Sequence, residues 1–186
     1  MKKYVLFLLL ALPAFVQARV IANIEFPEKI VIEVGKEVHL QGVAIRKKVF
    51  TDVYAAGFYV NGKVSTAHEA LESHGPKEMR IVFIYKSISS QKFIKGWKEG
   101  IEKNNSKTEL VGQADNIGLF YKSIKDDMLA GDKLVIQQSK SGKTKLIKNS
   151  QLLLSIEDKG FYNILLSAWM GDSPPSGSFQ KSILGA

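Results

Sequence analysis

The sequence predicts an α+β domain: one large antiparallel sheet with helices layered on one side. Three observations lead there. Residues 30–60 hold successive apolar runs with strand-like alternation, later segments carry apolar stripes at helical spacing, and the elements do not alternate strand with helix as a parallel sheet requires. No repeat, linker or low-complexity segment divides the chain of 186 residues, so a single domain is expected.

The chain opens Met1-Lys2-Lys3, runs through apolar Tyr4 to Leu12, and reaches Val16-Gln17-Ala18. That pattern is a secretory signal with cleavage expected after Ala18. The apolar run is interrupted by Pro13 and is shorter than the about twenty residues a bilayer span needs, so no membrane span is expected after processing. The domain would then comprise residues 19–186, periplasmic or secreted, with a bacterial periplasm the expected compartment. With no cysteine, it must hold together by burial alone, which excludes disulfides, thiolate metal sites and cysteine nucleophiles.

Ile30 to Val34 and Val38 to Gln41 read as strands joined through Gly35-Lys36. The second runs into a long hairpin, Gly42 to Val60, which turns near Lys47-Lys48 and ends at Asn61-Gly62. Period-two alternation assigns Val43, Ile45, Val49, Thr51, Val53, Ala55 and Tyr59 to a core face. The even face, with Arg46 and Tyr54 among aromatic and small residues, suits the roof of a partly wet cavity.

Ser65 to Leu71 reads as a short capped helix stopped by Gly75-Pro76. Lys77 to Lys86 is apolar on both parities and therefore a central strand. A helix follows from Ser89 or Ser90 to about Lys103 with the stripe Phe93, Ile94, Trp97, Ile101. A second is expected from about Ala114 to Ala130, striped by Ile117, Phe120, Tyr121, Ile124 and Met128 and closed at Gly131. Leu134 to Gln138 and Thr144 to Ile147 form a hairpin, Leu152 to Ile156 a further strand, Asp158 to Met170 a helix, and Phe179 to Leu184 a last helical turn.

Charge excludes little but points away from nucleic acid. Losing Lys2 and Lys3 with the leader leaves 24 basic against 18 acidic residues, +6, scattered in short clusters. Ser141-Gly142-Lys143-Thr144 resembles the end of a phosphate-binding loop, but Gln137 stands where that motif needs glycine. His39, His68 and His74 lack metal-ligand spacing, and no cofactor is expected. Gly96 and Gly100 suit close helix-on-sheet packing.

Arg46 is different in kind. A guanidinium inside an alternating apolar strand must reach water or find an anion. Asp52, of the same parity across the hairpin, is one partner; the other is the carboxylate or enolate oxygen of a ligand held by Arg46 beside Tyr54.

Gly42-Val43-Ala44-Ile45-Arg46-Lys47-Lys48, Val53-Tyr54-Ala55-Ala56-Gly57-Phe58-Tyr59-Val60, and Trp169-Met170-Gly171-Asp172-Ser173-Pro174-Pro175 with Ile183-Leu184-Gly185 resemble the chalcone isomerase-like family, in particular its exported bacterial branch. The resemblance implies an open-faced β-sandwich with a ligand cleft between a large antiparallel sheet and its helices. Plant chalcone isomerases surround the reacting oxygens with an arginine, a threonine, a tyrosine and an asparagine. By that resemblance the arginine corresponds to Arg46, Tyr54 stands at the threonine position, Tyr85 corresponds to the tyrosine, and Lys92 falls where asparagine is expected. An arginine with a tyrosine in that place is more similar to the family's fatty-acid-binding members. The resemblance therefore implies a non-catalytic binder of a small amphipathic carboxylate such as a fatty acid, with Arg46, Tyr54 and Tyr85 as candidate ligand-binding or catalytic residues. An isomerase (intramolecular lyase) of chalcone isomerase type, and a structural or partner-binding exported domain, are the alternatives.

Overall fold

The computed structural model describes residues 17–186. The expected leader lies almost entirely outside the described residues. Strands β1 (Ala18–Ile21) and β2 (Ile24–Pro27) form a small hairpin. Then come β3 (Lys29–Glu33), β4 (Lys36–Lys48), β5 (Thr51–Val60), helix α1 (Ala67–Glu72) and β6 (Lys77–Phe83). The short β7 (Ser87–Ile88) leads into α2 (Ser90–Asn104), α3 (Lys107–Gly112) and α4 (Ala114–Ser123). The chain closes with β8 (Met128–Leu129), β9 (Lys133–Gln138), β10 (Lys143–Lys148), β11 (Gln151–Glu157), α5 (Phe161–Met170) and α6 (Gly177–Ile183).

Seven strands make one antiparallel sheet in the order β11-β10-β9-β6-β5-β4-β3, with β6 at its centre. A central strand is covered on both faces, which is why β6 reads apolar at both parities. Met79, Ile81 and Phe83 face the helices; Val82 faces the opposite side. The larger core lies between sheet and helices, with Ala44, Ala56, Phe58 and Val60 meeting Trp97, Phe161 and Trp169. Each fully buried aromatic there stabilises by about 1.5–3 kcal/mol relative to exposure. A smaller core of Phe26, Val38, Leu40, Ala55 and Tyr59 fills the space under the β1–β2 hairpin. Arg19 clamps that hairpin down: Nε and Nη2 donate to the two Glu28 carboxylate oxygens (2.9 and 3.2 Å), and Nη2 also reaches the Leu40 carbonyl at 2.8 Å.

The faces of the long hairpin therefore differ from the alternation-based expectation of one core face. Both are covered: the even residues of β5 meet the main core, whereas Val43, Ala55 and Tyr59 face the smaller one. Two bulges adjust the register, and the first flips parity along β4, so that Leu40 and Ala44 lie on opposite faces. At Gln41 the pairing steps from Leu40↔Tyr59 to Gly42↔Phe58, and at Val53 from Arg46↔Tyr54 to Lys47↔Asp52. Val49, expected in the core, is 81% exposed at the tip, and Thr51 beside it is exposed as well. Gly42 sits where β4 passes under α6, and a Cβ there would run into the Ser182 and Ile183 carbonyls.

The expected helix over residues 114–130 ends early. Helix α4 stops at Ser123, and Met128–Leu129 pairs with Ser87–Ile88. Asp127 is engaged by another element: its carboxylate accepts from Ser90 N at 2.9 Å, at the start of α2. Ile124 and Met128 are buried all the same, so the stripe is a core signal even where the backbone leaves the helix.

Candidate functional site

Where β4 and β5 pair Arg46 with Tyr54, the sheet parts from the helices and leaves a cleft of about 640 Å³. That volume falls in the size range of small-molecule sites. Its apolar wall includes Ile81 from β6, Phe93 and Trp97 from α2, Trp169 from α5, and Pro174 and Pro175 from the α5–α6 connection. The rings of Tyr54, Phe83, Phe93, Trp97 and Trp169 are linked in that order by edge-on contacts, with centroids 4.9 to 6.3 Å apart. Such contacts hold an apolar wall in one shape.

Arg46 is placed on this cleft by strand register, not by a carboxylate. Its Nη1 donates to the Pro175 carbonyl at 3.3 Å and to the carbonyl of Lys47. Among the described residues Nε and Nη2 meet no acceptor, and no acid lies within ion-pair distance of the guanidinium. Asp52, the alternative partner read from the sequence, goes to Lys47 instead, with Nζ 2.8 Å from Oδ1. The bulge at Val53 produces this exchange by moving Asp52 opposite Lys47.

Tyr54 stands beside Arg46 with its hydroxyl oriented by the helix layer. Trp169 Nε1 donates to the Tyr54 hydroxyl oxygen at 2.9 Å, which leaves the phenol proton without a protein acceptor among the described residues. The side chain is partly exposed where it lines the cleft, and burial raises the pKa of its hydroxyl. The Trp169 hydrogen bond and the Arg46 charge oppose that rise without cancelling it, so the group stays a neutral donor at physiological pH. A guanidinium fork and a phenol proton on neighbouring strands can together hold one anionic oxygen pair.

Tyr85 lines the same cleft at its rim, 47% exposed, and its hydroxyl bonds to no described residue. Lys48, Lys92 and Lys103 also stand on the lining, against a single acid among the described residues there, Glu99, so the mouth is positive. Sequence reasoning missed the lysine rim and the role of Trp169 in orienting Tyr54. The terminal Trp169 to Pro175 block carried the signal, since it supplies both the indole that orients Tyr54 and the carbonyl that touches Arg46.

A smaller hollow of about 420 Å³, between α1 and the β9–β10 tip, is lined by Ser139, Ser141 and Gly142. Its buried cation, Lys77, gives its protons to the Ala70 and Leu71 carbonyls and to Asn163 Oδ1, all at 3.3 Å. Among the described residues no group of three or more His, Asp or Glu is placed to hold a metal, and no helix is long and apolar enough to cross a membrane.

A family model described as chalcone isomerase-like matches residues 18–185. The crystal structure of a fatty-acid binding protein from Arabidopsis thaliana superposes with a TM-score of 0.67 at 14% identity, covering 90% of this chain and 96% of that one. At that identity the likeness shows the fold: a large curled antiparallel sheet with its helices. No curated protein matches the chain by sequence.

Proposed function

The chain belongs to the chalcone isomerase-like family, and from that premise we propose that it binds a small amphipathic carboxylate, of which a fatty acid is the type, without transforming it, in the periplasm after export. One observation carries the reading: Arg46, with no acid partner and no acceptor for Nε and Nη2 among the described residues, lines an apolar-walled cleft of about 640 Å³ together with Tyr54, whose phenol proton has no protein acceptor there. The pair would grip the carboxylate while Phe93, Trp97 and Trp169 take the chain. The fatty-acid binding protein that shares the fold supports the ligand class. Non-catalysis is favoured because Tyr54, raised in pKa and fixed by Trp169, is a static donor. Export is supported by the amino-terminal pattern Met1 to Ala18.

Native mass spectrometry of protein recovered from the periplasm tests both parts. It is expected to show a chain beginning at Arg19 with a co-purifying carboxylate, and Arg46→Ala is expected to retain about a tenth of that ligand or less, as loss of a charged hydrogen-bond partner implies. Equal ligand content in the two proteins contradicts the assignment. Cyclisation of a chalcone above the spontaneous rate, lost in Arg46→Ala, would favour the isomerase reading instead.

A further inference from the structure

We propose that the β4–β5 hairpin tip docks this protein on an anionic lipid bilayer, with the mouth of the cleft turned toward the membrane. Strand pairing Lys48↔Thr51 leaves a two-residue turn, Val49-Phe50, and both side chains point away from the protein, 81% and 97% exposed. Val49 takes φ +58 there, a left-handed conformation that Gly or Asn adopts readily and a β-branched residue does not. Among the described residues no core packs against this valine.

The surroundings name the partner. Lys48 leads into the tip beside Lys47, whose charge is paired with Asp52, and Lys92 and Lys103 stand on the lining of the adjoining cleft, with Glu99 the one acid among its described residues. An apolar tip accompanied by cations matches an anionic interface, where the side chains enter the acyl boundary and the lysines meet headgroups. Tyr85, half exposed on the same rim, is a residue type that settles at that boundary. Two side chains are far too little surface for a protein partner, which needs about 800 Å² on each side. Lys48 and Thr51 flank the tip and also line the cleft, so docking brings its mouth to the lipid. Docking does not depend on what the cleft binds; only its use for ligand transfer rests on the carboxylate reading.

Co-sedimentation with vesicles of phosphatidylglycerol and phosphatidylcholine in equal parts, and with phosphatidylcholine alone, tests this on the full chain and on V49G/F50S. Any contribution of the N-terminal apolar run is common to both proteins. Glycine suits the turn at position 49, so the variant keeps its fold, as an unchanged melting curve will show. The parent is expected to bind the anionic vesicles and to release them at high salt, and V49G/F50S to bind at least about tenfold more weakly. The tryptophan emission of the Phe50→Trp variant is expected to shift to the blue on adding anionic vesicles. Equal sedimentation of parent and V49G/F50S, an emission spectrum of Phe50→Trp that does not move, or a dimer that V49G/F50S dissolves would overturn the proposal. Ligand content is a separate readout: V49G/F50S is expected to keep it, whereas failure of the carboxylate reading shows in Arg46→Ala.

Discussion

Tyr54 and Arg46 face each other on adjacent strands but rest on different supports, and substitutions separate them. Tyr54→Phe removes the acceptor for Trp169 Nε1 as well as the proton offered to the cleft. It is therefore expected to lower stability by about 1–3 kcal/mol in a denaturant titration and to weaken carboxylate binding about tenfold. Arg46 makes no ion pair among the described residues and bonds only the Lys47 and Pro175 carbonyls, so its removal from ligand-free protein should cost less stability than Tyr54→Phe while ligand binding is lost. Unchanged stability in Tyr54→Phe would mean that the indole finds another acceptor. Arg46 was legible as an anomaly because a lone guanidinium broke an apolar alternation. Its partner was not, since the choice of Lys47 for Asp52 depends on a bulge at Val53 that leaves no mark in the sequence.

Elements were legible where one physical signal governed them. Helix α2 followed from the Ser89 cap, whose hydroxyl accepts from Lys92 N at 3.3 Å, and from its stripe Phe93, Trp97, Ile101. The β1–β2 hairpin was missed because its four-residue strands adjoin the amino-terminal apolar run; Ala22 and Asn23, both at positive φ, mark the turn. Lys77 shows how an element is tied down in a way no pattern reveals. It closes the carboxyl end of α1 onto β6 and α5, buried with no carboxylate partner among the described residues and 5.5 Å from the Tyr162 ring centroid. Burial lowers its pKa from the usual 10.5 to about 8. The unfolded chain keeps this proton up to its higher pKa, so folding is penalised fully below pH 8, and the penalty lifts as pH rises from 8 toward 10.5. Stability is expected to rise over that window, by at most about 1.4 kcal/mol per pH unit, and the rise should flatten in Lys77→Met. A parent whose stability is flat or falls between those limits would show that the ammonium is well solvated.

At the scale of the molecule, two layers close on each other where aromatic residues interlock and part where β4–β5 carries its polar pair. The sheet supplies the head group's partners and the helices supply the wall, which is why the α5–α6 connection, distant in sequence, touches Arg46 through Pro175. The antiparallel sheet and its helix layer were legible from the order of elements. The cleft was foreseen as a wet even face but not its lysine rim, because Lys48, Lys92 and Lys103 come to line one cleft only in three dimensions. Carboxylate recognition by Arg46 is the contact on which the proposed function rests. Titration of delipidated protein with a long-chain fatty acid and with the alcohol of the same chain length isolates that contact. The acid is expected to bind about tenfold tighter or more, with the difference vanishing in Arg46→Ala. Equal affinity for acid and alcohol in the parent protein would contradict it.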